Sequence, residues 1–412
     1  MNIAMLSYHT CPLATLGGKD TGGMNVYVQQ LSRQLGVMGI HVDVFTRSQD
    51  EHVPHIIHSL GYGNRVVHIP AGPENPLPKP ELITYMPQFV DGVKHFAAEK
   101  GIHYDLIHSH YWMSGMAALA LKQEWNVPIL QMFHTLGLMK NRIAQSLSEI
   151  ETGARIDGEM RLLQEVDCVV AATQAELSQM TFLYKITPKR HIILPPGVDL
   201  ARFYPIPEDE AKEAIGIPTD NCLFLFVGRI EPLKGLPTLL KAVAILKEKG
   251  ILSCCSYRLA IVGGDPSATL GEISAEMARL QNLSHDLGLD ELVIFLGKRD
   301  QEALPYYYSA AEVVIVPSHY ESFGMVALEA MACGTPVVAS QVGGLAFLVQ
   351  DGVTGYVVPD NQPELLAEKL AHLISQPEVR QEMGSKAAAI ARNYSWQNIA
   401  EQISVVYQQL VG

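Results

Sequence analysis

The stretch "SHYESFGMVALEAMACGTPVVAS" (318–340) joins a helix-like run, a Gly–Thr–Pro turn and a β-branched strand. Two carboxylates, Glu321 and Glu329, stand eight positions apart in it, the first just outside the predicted helix and the second about two turns inside. At about 1.5 Å of rise per residue, eight residues span about 12 Å. This distance suits two contacts to one elongated polar ligand and is too long for a shared proton.

The same alternation of short apolar runs and longer helix-like stretches continues through the whole chain. Near-continuous apolar strands separated by helices are typical of a parallel sheet covered on both faces. A chain of 412 residues also exceeds one ordinary core. We therefore predict an α/β protein with two doubly wound domains. The predicted strands are 3–9, 42–47, 65–70, 105–110, 128–134, 168–173, 191–196, 223–228, 258–264, 292–297, 313–318, 336–340 and 355–359.

The segment "PPGVDLARFYPIP" (195–207) is rich in proline and interrupts the strand–helix alternation. It places the domain boundary near residue 200 and predicts domains over 1–199 and 200–394. We expect ligand-binding loops at the carboxyl ends of the strands in both domains, facing a common cleft. The last segment, 395–412, has the pattern of an amphipathic helix, which we expect to cross back onto the first domain.

Composition excludes several classes of protein. Apolar residues make up 48% and charged residues 18% of the chain, which is ordinary for a globular protein. The net charge of −13 argues against a nucleic-acid partner. No apolar run approaches the roughly 18 residues of a membrane span, and "MNIAMLSYHT" predicts a first core strand and not a signal peptide. Six cysteines without a C-x-x-C spacing indicate reduced thiols in a cytoplasmic protein.

Two cations lie in the loop of the strand–loop–helix stretch "LFLFVGRIEPLKGLPTLLKAVAIL" (223–246). Arg229 and Lys234 fall between the strand end and a helix start marked by Gly235 and Pro237. A guanidinium and an ammonium beside a helix amino terminus suit a diphosphate. The alternative is a pair of solvated loop cations.

The stretch "GGKDTGGMNVYVQQLSRQL" (17–35) predicts a second helix start, with Gly22 and Gly23 at its beginning. These glycines would let backbone N–H groups approach a ligand, although a simple tight turn explains them equally well. The pattern is not G-x-G-x-x-G and lacks the acidic ribose contact, so a nicotinamide cofactor is disfavoured.

His108 and His110 lie on one face of a predicted strand, and His134 ends the next one. A metal site is disfavoured because no carboxylate or cysteine joins them at ligand spacing. We expect polar side chains that point into a cleft. A further group of cations consists of Lys79, Lys140, Arg142 and Arg155. Singly they are typical of surface charge, and they gain meaning only if the fold brings them together.

These motifs resemble the retaining GT-B glycosyltransferases of the family 4 type. "ESFGMVALEAMACGTPVVAS" is similar to their E-x₇-E signature and "VGRIEPLKG" to their diphosphate loop. "PPGVDLARF" and "VGGLAFLVQDGVTGYVV" also resemble this family, so the likeness covers essentially the whole chain. It implies two Rossmann-like domains, with a nucleotide-sugar in the second and the acceptor in the first.

The resemblance implies a role for each matching residue on the donor side. Arg229 and Lys234 would bind the diphosphate and stabilise the leaving group, which is the work that a metal ion does in enzymes with a D-x-D element. Glu329 would hold the ribose and Glu321 the donor sugar. The other implied donor contacts are Gly22 and Gly23 at the diphosphate, Ser322, Phe323 and Gly324 at the sugar, Lys298 and Arg299 at the base, and the His134 carbonyl at the anomeric centre.

Two subfamilies with phosphorylated acceptors are similar on the acceptor side. One is sucrose-phosphate synthase and the other is the inositol-phosphate N-acetylglucosaminyltransferase of mycothiol synthesis. "DTGG" (20–23) and "RI" (155–156) followed by Glu159 favour the first, whereas "GGMNVYV" and "HSHYW" resemble the second. The implied acceptor residues are His9, Asn25, Lys79, Tyr111, Thr135, Lys140 and Arg155.

The resemblance to the first subfamily therefore implies transfer of glucose from UDP-glucose to fructose 6-phosphate. The alternatives are N-acetylglucosamine transfer to inositol phosphate and, in another class, epimerisation or hydrolysis of the nucleotide-sugar. We expect small-molecule substrates, no membrane partner and no cofactor required for the chemistry, with Mg²⁺ possible but not essential. The donor base and the oligomeric state stay open.

Overall fold

The computed structural model describes residues 1–15, 21–144, 147–253, 256–264 and 275–412. The chain forms two compact units, Met1–Gly197 with Trp396–Gly412, and Val198–Ser395. Asp20, Cys254 and Cys255, which entered the sequence interpretation, lie outside the described residues.

The first unit contains the strands β1 (Asn2–Leu6), β2 (His41–Arg47), β3 (Ile56–Gly61), β4 (Asn64–Ile69), β5 (Leu106–His110), β6 (Ile129–Met132), β7 (Cys168–Ala171) and β8 (His191–Ile193). They form one sheet in the order β3-β4-β2-β1-β5-β6-β7-β8. Every neighbouring pair is parallel except β3 and β4. Four of the parallel strands, β1, β5, β6 and β7, are buried over almost their whole length, as a sheet covered on both faces requires.

Helices connect these strands and cover the sheet. They are α1 (Gly23–Val37), α2 (Lys79–Lys100), α3 (Tyr111–Trp125), α4 (Gly137–Ile143), α5 (Gly153–Glu165) and α6 (Gln174–Tyr184), with a 3₁₀ turn at Leu147–Glu149. Each of the longer helices buries one apolar stripe in the core of the first unit, such as Phe89, Val93 and Phe96 of α2.

The second unit contains β9 (Asn221–Val227), β10 (Ser256–Val262), β11 (Val293–Gly297), β12 (Val313–Val316), β13 (Val337–Ser340) and β14 (Gly355–Val358). All are parallel in the order β11-β10-β9-β12-β13-β14. Its helices are α7 (Glu208–Ala214), α8 (Leu236–Glu248), α9 (Ala275–Asp286), α10 (Leu304–Ala310), α11 (Met325–Ala332), α12 (Leu345–Leu348), α13 (Pro363–Ser375) and α14 (Pro377–Ala391), with 3₁₀ turns at Pro232–Lys234, Ile251–Ser253 and Arg392–Tyr394.

Both sheets have a switch point, where the winding reverses between two neighbouring strands. It lies between β1 and β5 in the first unit and between β9 and β12 in the second. Ligands of doubly wound sheets bind beyond the carboxyl ends of the strands at this point. His9 follows β1 and Tyr111 follows β5, while Arg229 follows β9 and Glu321 follows β12.

The final helix, α15 (Trp396–Val411), belongs to the first unit. It buries Trp396, Ile399, Ile403 and Tyr407, which recur every three or four residues along one face. The Trp396 ring contacts the backbone at Gly197 so closely that a Cβ there would lie 2.7 Å from the ring. The chain therefore enters and leaves the second unit beside the same aromatic contact.

The α/β fold class with two doubly wound sheets is confirmed, and each of the thirteen predicted runs overlaps an observed strand. Several runs were predicted too long at their carboxyl ends, for example 3–9 against Asn2–Leu6 and 128–134 against Ile129–Met132. The residues beyond the strand ends include Tyr8 and Phe133, which are buried although they lie outside the strands.

One strand, β3, was missed. Its residues are partly exposed, so the run lacks the apolar pattern of the other strands. It pairs antiparallel with β4 through a turn in which Tyr62 and Gly63 both have positive φ, of 54° and 84°. Two such residues are typical of a tight hairpin turn.

Among the described residues, no helix is long and apolar enough to cross a bilayer. Of the cysteines in the described ranges, Cys11, Cys168, Cys222 and Cys333 form no disulfide bond, and Cys168 and Cys333 are buried.

Candidate functional site

The loop after β9 carries the two cations that the sequence singled out. Lys234 ends the 3₁₀ turn Pro232–Lys234, and its Nζ lies 2.7 Å from Oε2 of Glu321. Arg229 Nη1 lies 2.8 Å from Oε1 of Glu231. Gly235 caps the amino terminus of α8 with φ of 66°. A Cβ at Gly235 would lie 1.9 Å from the Pro317 carbonyl oxygen. Only glycine allows this approach, which brings the loop against the chain that leads to Glu321.

The segment Glu321–Gly324 lies between β12 and α11 and is held from both sides. Gly344 N–H donates to the Glu321 carbonyl at 3.0 Å, while Lys234 holds the carboxylate. Gly343 has φ of 46°, and a Cβ there would lie 1.8 Å from the same carbonyl oxygen. Phe323 is buried, whereas Ser322 is partly exposed. Gly343 and Gly344 were not among the predicted site residues.

The helix after this segment starts later than predicted. It begins at Met325, so Glu321 lies four residues before it, and Glu329 is its fifth residue instead of lying two turns inside. The residues between Glu321 and Met325 are not helical, because Gly324 adopts φ of 106° at the cap. The helical spacing of about 12 Å between the carboxylates therefore does not apply.

Glu329 is a buried carboxyl group, and Tyr308 Oη donates to its Oε2 at 2.8 Å. Burial raises the pKa of Glu329 to about 7, although Tyr308 and Arg202 act to lower it. A carboxyl group near its pKa can accept or donate hydrogen bonds, which suits a contact with vicinal hydroxyl groups. The partner Tyr308 was missed from the sequence because it lies 21 residues upstream, on α10.

Lys298 and Arg299 follow β11 and are exposed. Arg299 donates through Nε to Tyr307 Oη at 2.9 Å and through Nη1 to the Lys298 carbonyl at 3.0 Å. The guanidinium thus orders the backbone at this strand end, which is the part that the resemblance assigns to the base.

In the first unit, Gly22 caps α1 and Gly23 is its exposed first residue. Asn25 is buried, and its Oδ1 accepts from Gly22 N–H at 2.9 Å. Its Nδ2 donates to Thr10 Oγ1 at 2.8 Å and to the Cys11 carbonyl at 2.7 Å. Both amide hydrogens are therefore used within the protein, so the structure gives Asn25 an ordering role between the loop after β1 and the start of α1.

Most of the other predicted acceptor residues come together in one cluster. Tyr111 is at its centre: the His9 ring lies 4.5 Å away, Arg155 Cζ lies 4.9 Å from the Tyr111 ring centre and Lys79 Nζ lies 5.6 Å from it. Tyr111 has φ of 73°. A residue with a side chain in this conformation carries strain of about 1–3 kcal/mol, which the surrounding contacts have to offset. We call His9, Lys79, Tyr111, Thr135, Lys140, Glu151 and Arg155 the phosphate cluster.

Arg155 is the best-connected member of the phosphate cluster. Its Nη2 donates to the carbonyl and to Oγ1 of Thr135 at 2.9 and 3.0 Å, and its Nε donates to Glu159 Oε1 at 2.8 Å. Glu159 is fully buried and also accepts from Gly137 N–H and Tyr184 Oη. These contacts fix the plane of the guanidinium beside Tyr111.

A carboxylate that was not predicted completes the phosphate cluster. Oε1 of Glu151 lies 2.5 Å from Lys140 Nζ and 2.8 Å from Arg155 Nη1. Burial acts to raise the pKa of Glu151, but Arg155, Lys140 and Lys79 outweigh it and hold this pKa below its ordinary value. The i, i+4 spacing from Glu151 to Arg155 was the signal in the sequence that could have identified this partner.

Four buried histidines of the first unit, His9, His108, His110 and His134, are neutral, because burial lowers the pKa of each. Burial lowers the pKa of His134 to about 3, and burial with the nearby Lys79 lowers that of His9 well below its ordinary value. His134 has φ of 62°, and its Nε2 lies 2.9 Å from His110 Nδ1. The expectation that His108 and His110 point into a cleft is wrong, because both are completely buried. His108 Nδ1 lies 2.7 Å from Tyr407 Oη of α15.

Within the described ranges, no group of three or more His, Cys, Asp or Glu residues has the arrangement of a metal site. The described chain carries a set of cations at each switch point, and both sets suit anionic ligands.

Comparisons with known proteins cover the whole chain. The family described as "Glycosyltransferase Family 4" matches residues 21–202, and "Glycosyl transferases group 1" matches residues 207–390. The D-inositol 3-phosphate glycosyltransferase of Saccharomonospora viridis is 40% identical, with 100% of this chain and 94% of that protein covered. The corresponding protein of Acidothermus cellulolyticus is 42% identical, with coverage of 100% and 90%.

Solved structures give the same fold. Sucrose-phosphate synthase from Thermosynechococcus elongatus superposes with a TM-score of 0.90 at 35% identity, over 99% of this chain and 98% of that chain. Anabaena Alr3699/HepE, solved in complex with UDP and glucose, has a TM-score of 0.75 at 21% identity and full coverage of both chains. The second likeness concerns the fold alone.

Proposed function

Because this chain belongs to the GT-B glycosyltransferases and is a UDP-sugar-dependent hexosyltransferase, we propose that it transfers the sugar with retention of configuration and that its acceptor is a phosphorylated polyol. Inositol 3-phosphate is the first candidate, with N-acetylglucosamine as the sugar transferred. Support comes from the relatives at 40–42% identity, which are D-inositol 3-phosphate glycosyltransferases. They favour this alternative over the sucrose-phosphate reading that the sequence suggested first.

The observation that carries the proposal is the phosphate cluster. Lys79, Lys140 and Arg155 lie around Tyr111 beyond the carboxyl ends of β1 and β5. Several cationic donors that converge on one place suit a dianion, since charge-assisted hydrogen bonds are about twice as strong as neutral ones. A hydrolase or an epimerase acting on the nucleotide-sugar alone would have no use for this group.

On the donor side, Arg229 and Lys234 would bind the diphosphate and stabilise the charge that develops on the leaving nucleotide. The acceptor hydroxyl would attack on the face that the nucleotide leaves, and the departing phosphate would take its proton. Glu321 would position the hydroxyl groups of the donor sugar. Its ion pair with Lys234 supports this role, because a carboxylate held by an ammonium is a poor nucleophile. No metal ion or cofactor enters these steps.

The remaining predicted contacts follow the same division. Ser322, Phe323 and Gly324 would offer N–H groups to the sugar, and Glu329 would hold the ribose. Lys298 and Arg299 would line the base. The contacts of Gly22 and Gly23 with the diphosphate and of the His134 carbonyl with the anomeric centre stay predictions.

The second candidate acceptor is fructose 6-phosphate with glucose as the sugar. The observation that favours it is the close superposition on sucrose-phosphate synthase, with a TM-score of 0.90. Both acceptors carry a phosphate monoester, so the phosphate cluster serves either of them.

Four reactions separate the candidates. UDP-glucose and UDP-N-acetylglucosamine are each incubated with fructose 6-phosphate and with inositol 3-phosphate, and the release of UDP is followed. We expect release with UDP-N-acetylglucosamine and inositol 3-phosphate, and a product with the anomeric configuration of the donor. Release only with UDP-glucose and fructose 6-phosphate would establish the second candidate. Equal release without any acceptor would contradict both.

A further inference from the structure

The phosphate cluster already contains an anion. One oxygen of Glu151, Oε1, contacts both Lys140 Nζ and Arg155 Nη1. The backbone N–H of Glu151 donates to Asn141 Oδ1 at 2.7 Å, which ties this residue to α4. The Glu151 carboxylate therefore forms ion pairs with two of the three cations of the cluster.

The geometry of Arg155 leaves one nitrogen for an incoming ligand. Nε is used by Glu159, and Nη2 is used twice by Thr135. Nη1 is the remaining nitrogen, and it contacts Glu151. A phosphate that binds the outer edge of this guanidinium meets the Glu151 carboxylate at the same position.

The two carboxylates that contact Arg155 differ in how firmly they are held. The Glu159 side chain is 0% exposed and accepts from Arg155, Gly137 and Tyr184. The Glu151 side chain is 20% exposed. Moving Glu159 would leave these three buried donors without their acceptor. Glu151 can turn towards water at much lower cost.

Charge balance favours the departure of Glu151 when phosphate binds. Lys79, Lys140 and Arg155 supply three positive charges, and Glu151 with Glu159 supplies two negative ones. The single remaining positive charge is too small for a phosphate monoester, which carries about −1.5 to −2 at pH 7. With Glu151 turned away, the cluster offers two positive charges and matches the dianion.

We propose that Glu151 is a specificity-determining residue that occupies the phosphate position until a phosphorylated acceptor displaces it. The proposal rests on the proposed function, because it takes the phosphate cluster as the acceptor site. Phosphate frees Lys140 and Nη1 of Arg155 by replacing the carboxylate with a stronger anion. A neutral acceptor has no anionic group that can displace Glu151, so Lys140 and Arg155 stay paired with this carboxylate.

The test compares wild type with Glu151→Gln. The amide keeps the shape of the side chain and removes the competing charge. Isothermal titration with inorganic phosphate gives the Kd directly, without turnover. If the competitor occupies the position about nine-tenths of the time, the variant binds phosphate about tenfold more tightly. The KM for the phosphorylated acceptor should fall by a similar factor, with kcat changed less than about twofold.

The matched control is Glu165→Gln. Glu165 also forms an i, i+4 pair, with Arg161 on α5, but both partners are exposed and neither belongs to the phosphate cluster. We expect an unchanged Kd for this variant. Tighter binding in Glu151→Gln alone is a gain that the loss of a purely structural contact does not produce. Unchanged or weaker phosphate binding in Glu151→Gln overturns the proposal.

A crystal structure of the wild-type protein with phosphate provides a test that needs no variant. We expect phosphate on Arg155 Nη1 and Lys140, with the Glu151 carboxylate turned away from both. Phosphate bound elsewhere while Glu151 keeps both contacts contradicts the proposal. If no phosphorylated acceptor supports UDP release but phosphate still displaces Glu151, the proposed function fails and the internal competitor stands.

Discussion

Lys234 Nζ lies 2.7 Å from Glu321 Oε2, and this ion pair joins the loop after β9 to the loop after β12 at the switch point of the second sheet. The two residues are 87 positions apart in the chain. Both side chains keep 20% of their surface exposed, so the pair is open to a ligand. One contact thus links the residue proposed for the diphosphate with the residue proposed for the sugar.

Replacing Lys234 should remove most of the activity and leave the fold intact. We expect Lys234→Ala to lower kcat/KM by about 10²–10³-fold, the usual effect of removing one donor to a developing negative charge. UDP release measures the rate, and thermal unfolding checks the fold. Lys241→Ala is the control, because Lys241 lies on the exposed face of the same α8 region. Near-normal turnover in Lys234→Ala would refute the diphosphate assignment.

Lys79 should affect the acceptor and not the donor. Lys79→Ala removes one of three cations from the phosphate cluster, so the KM for a phosphorylated acceptor should rise by about tenfold or more. The KM for the UDP-sugar should stay within about twofold. Steady-state kinetics with each substrate varied in turn measures both values. Lys100→Ala serves as control, since Lys100 is exposed at the other end of α2. A parallel rise in both KM values would show that Lys79 acts on the whole structure.

Gly343 should tolerate no side chain. Gly343→Ala places a Cβ 1.8 Å from the Glu321 carbonyl oxygen, so the Glu321–Gly324 segment has to move. We expect kcat/KM to fall at least about tenfold. Gly352→Ala separates this clash from backbone strain: Gly352 also has positive φ, of 71°, but a Cβ there meets nothing within 4 Å. That control should lose about 1 kcal/mol of stability and keep its activity. Equal activity of the two variants would argue against a role for Gly343 in holding Glu321.

Glu176 predicts a pH dependence of stability that is separate from activity. It is buried near the start of α6, where Oε2 accepts from Ala172 N–H at 2.6 Å and Oε1 has no hydrogen-bond partner. Burial raises the pKa of Glu176 to about 7 from 4.5. Between these two values the unfolded chain loses its proton while the folded chain keeps it. The free energy of unfolding therefore falls as pH rises through this window and levels off above pH 7.

Glu176→Gln should remove that loss. The shift corresponds to an effect of the order of 3 kcal/mol, so the variant should be more stable than wild type at pH 8. Near pH 4.5 the difference should disappear, since wild-type Glu176 is then protonated when folded. Urea unfolding at pH 4.5, 6 and 8 measures the difference. A variant that is less stable at every pH would contradict the assignment.

Some features of the site and the fold carried a signal in the sequence, and others did not. The pairing of Lys234 with Glu321 was not visible as a contact, but each residue was selected by its position after a buried strand. Tyr62 shows the opposite case, because a hairpin turn with a tyrosine at positive φ carried no recognisable signal. Glu151 was missed because a carboxylate two residues before a helix is ordinary until its partners are known.

The sequence by itself determined the two doubly wound sheets, the order of helices and strands along the chain except β3, and the family. Apolar runs of strand length and helical periodicity are local properties, which a chain displays without its fold. The tertiary structure decided which side chains meet. Lys79, Lys140 and Arg155 are dispersed over three helices of the first unit, and only the switch point between β1 and β5 assembles them around Tyr111. The tertiary structure also sets the protonation states. Burial keeps His9 and His134 neutral and raises the pKa of Glu329 to about 7, whereas the neighbouring cations keep Glu151 ionised.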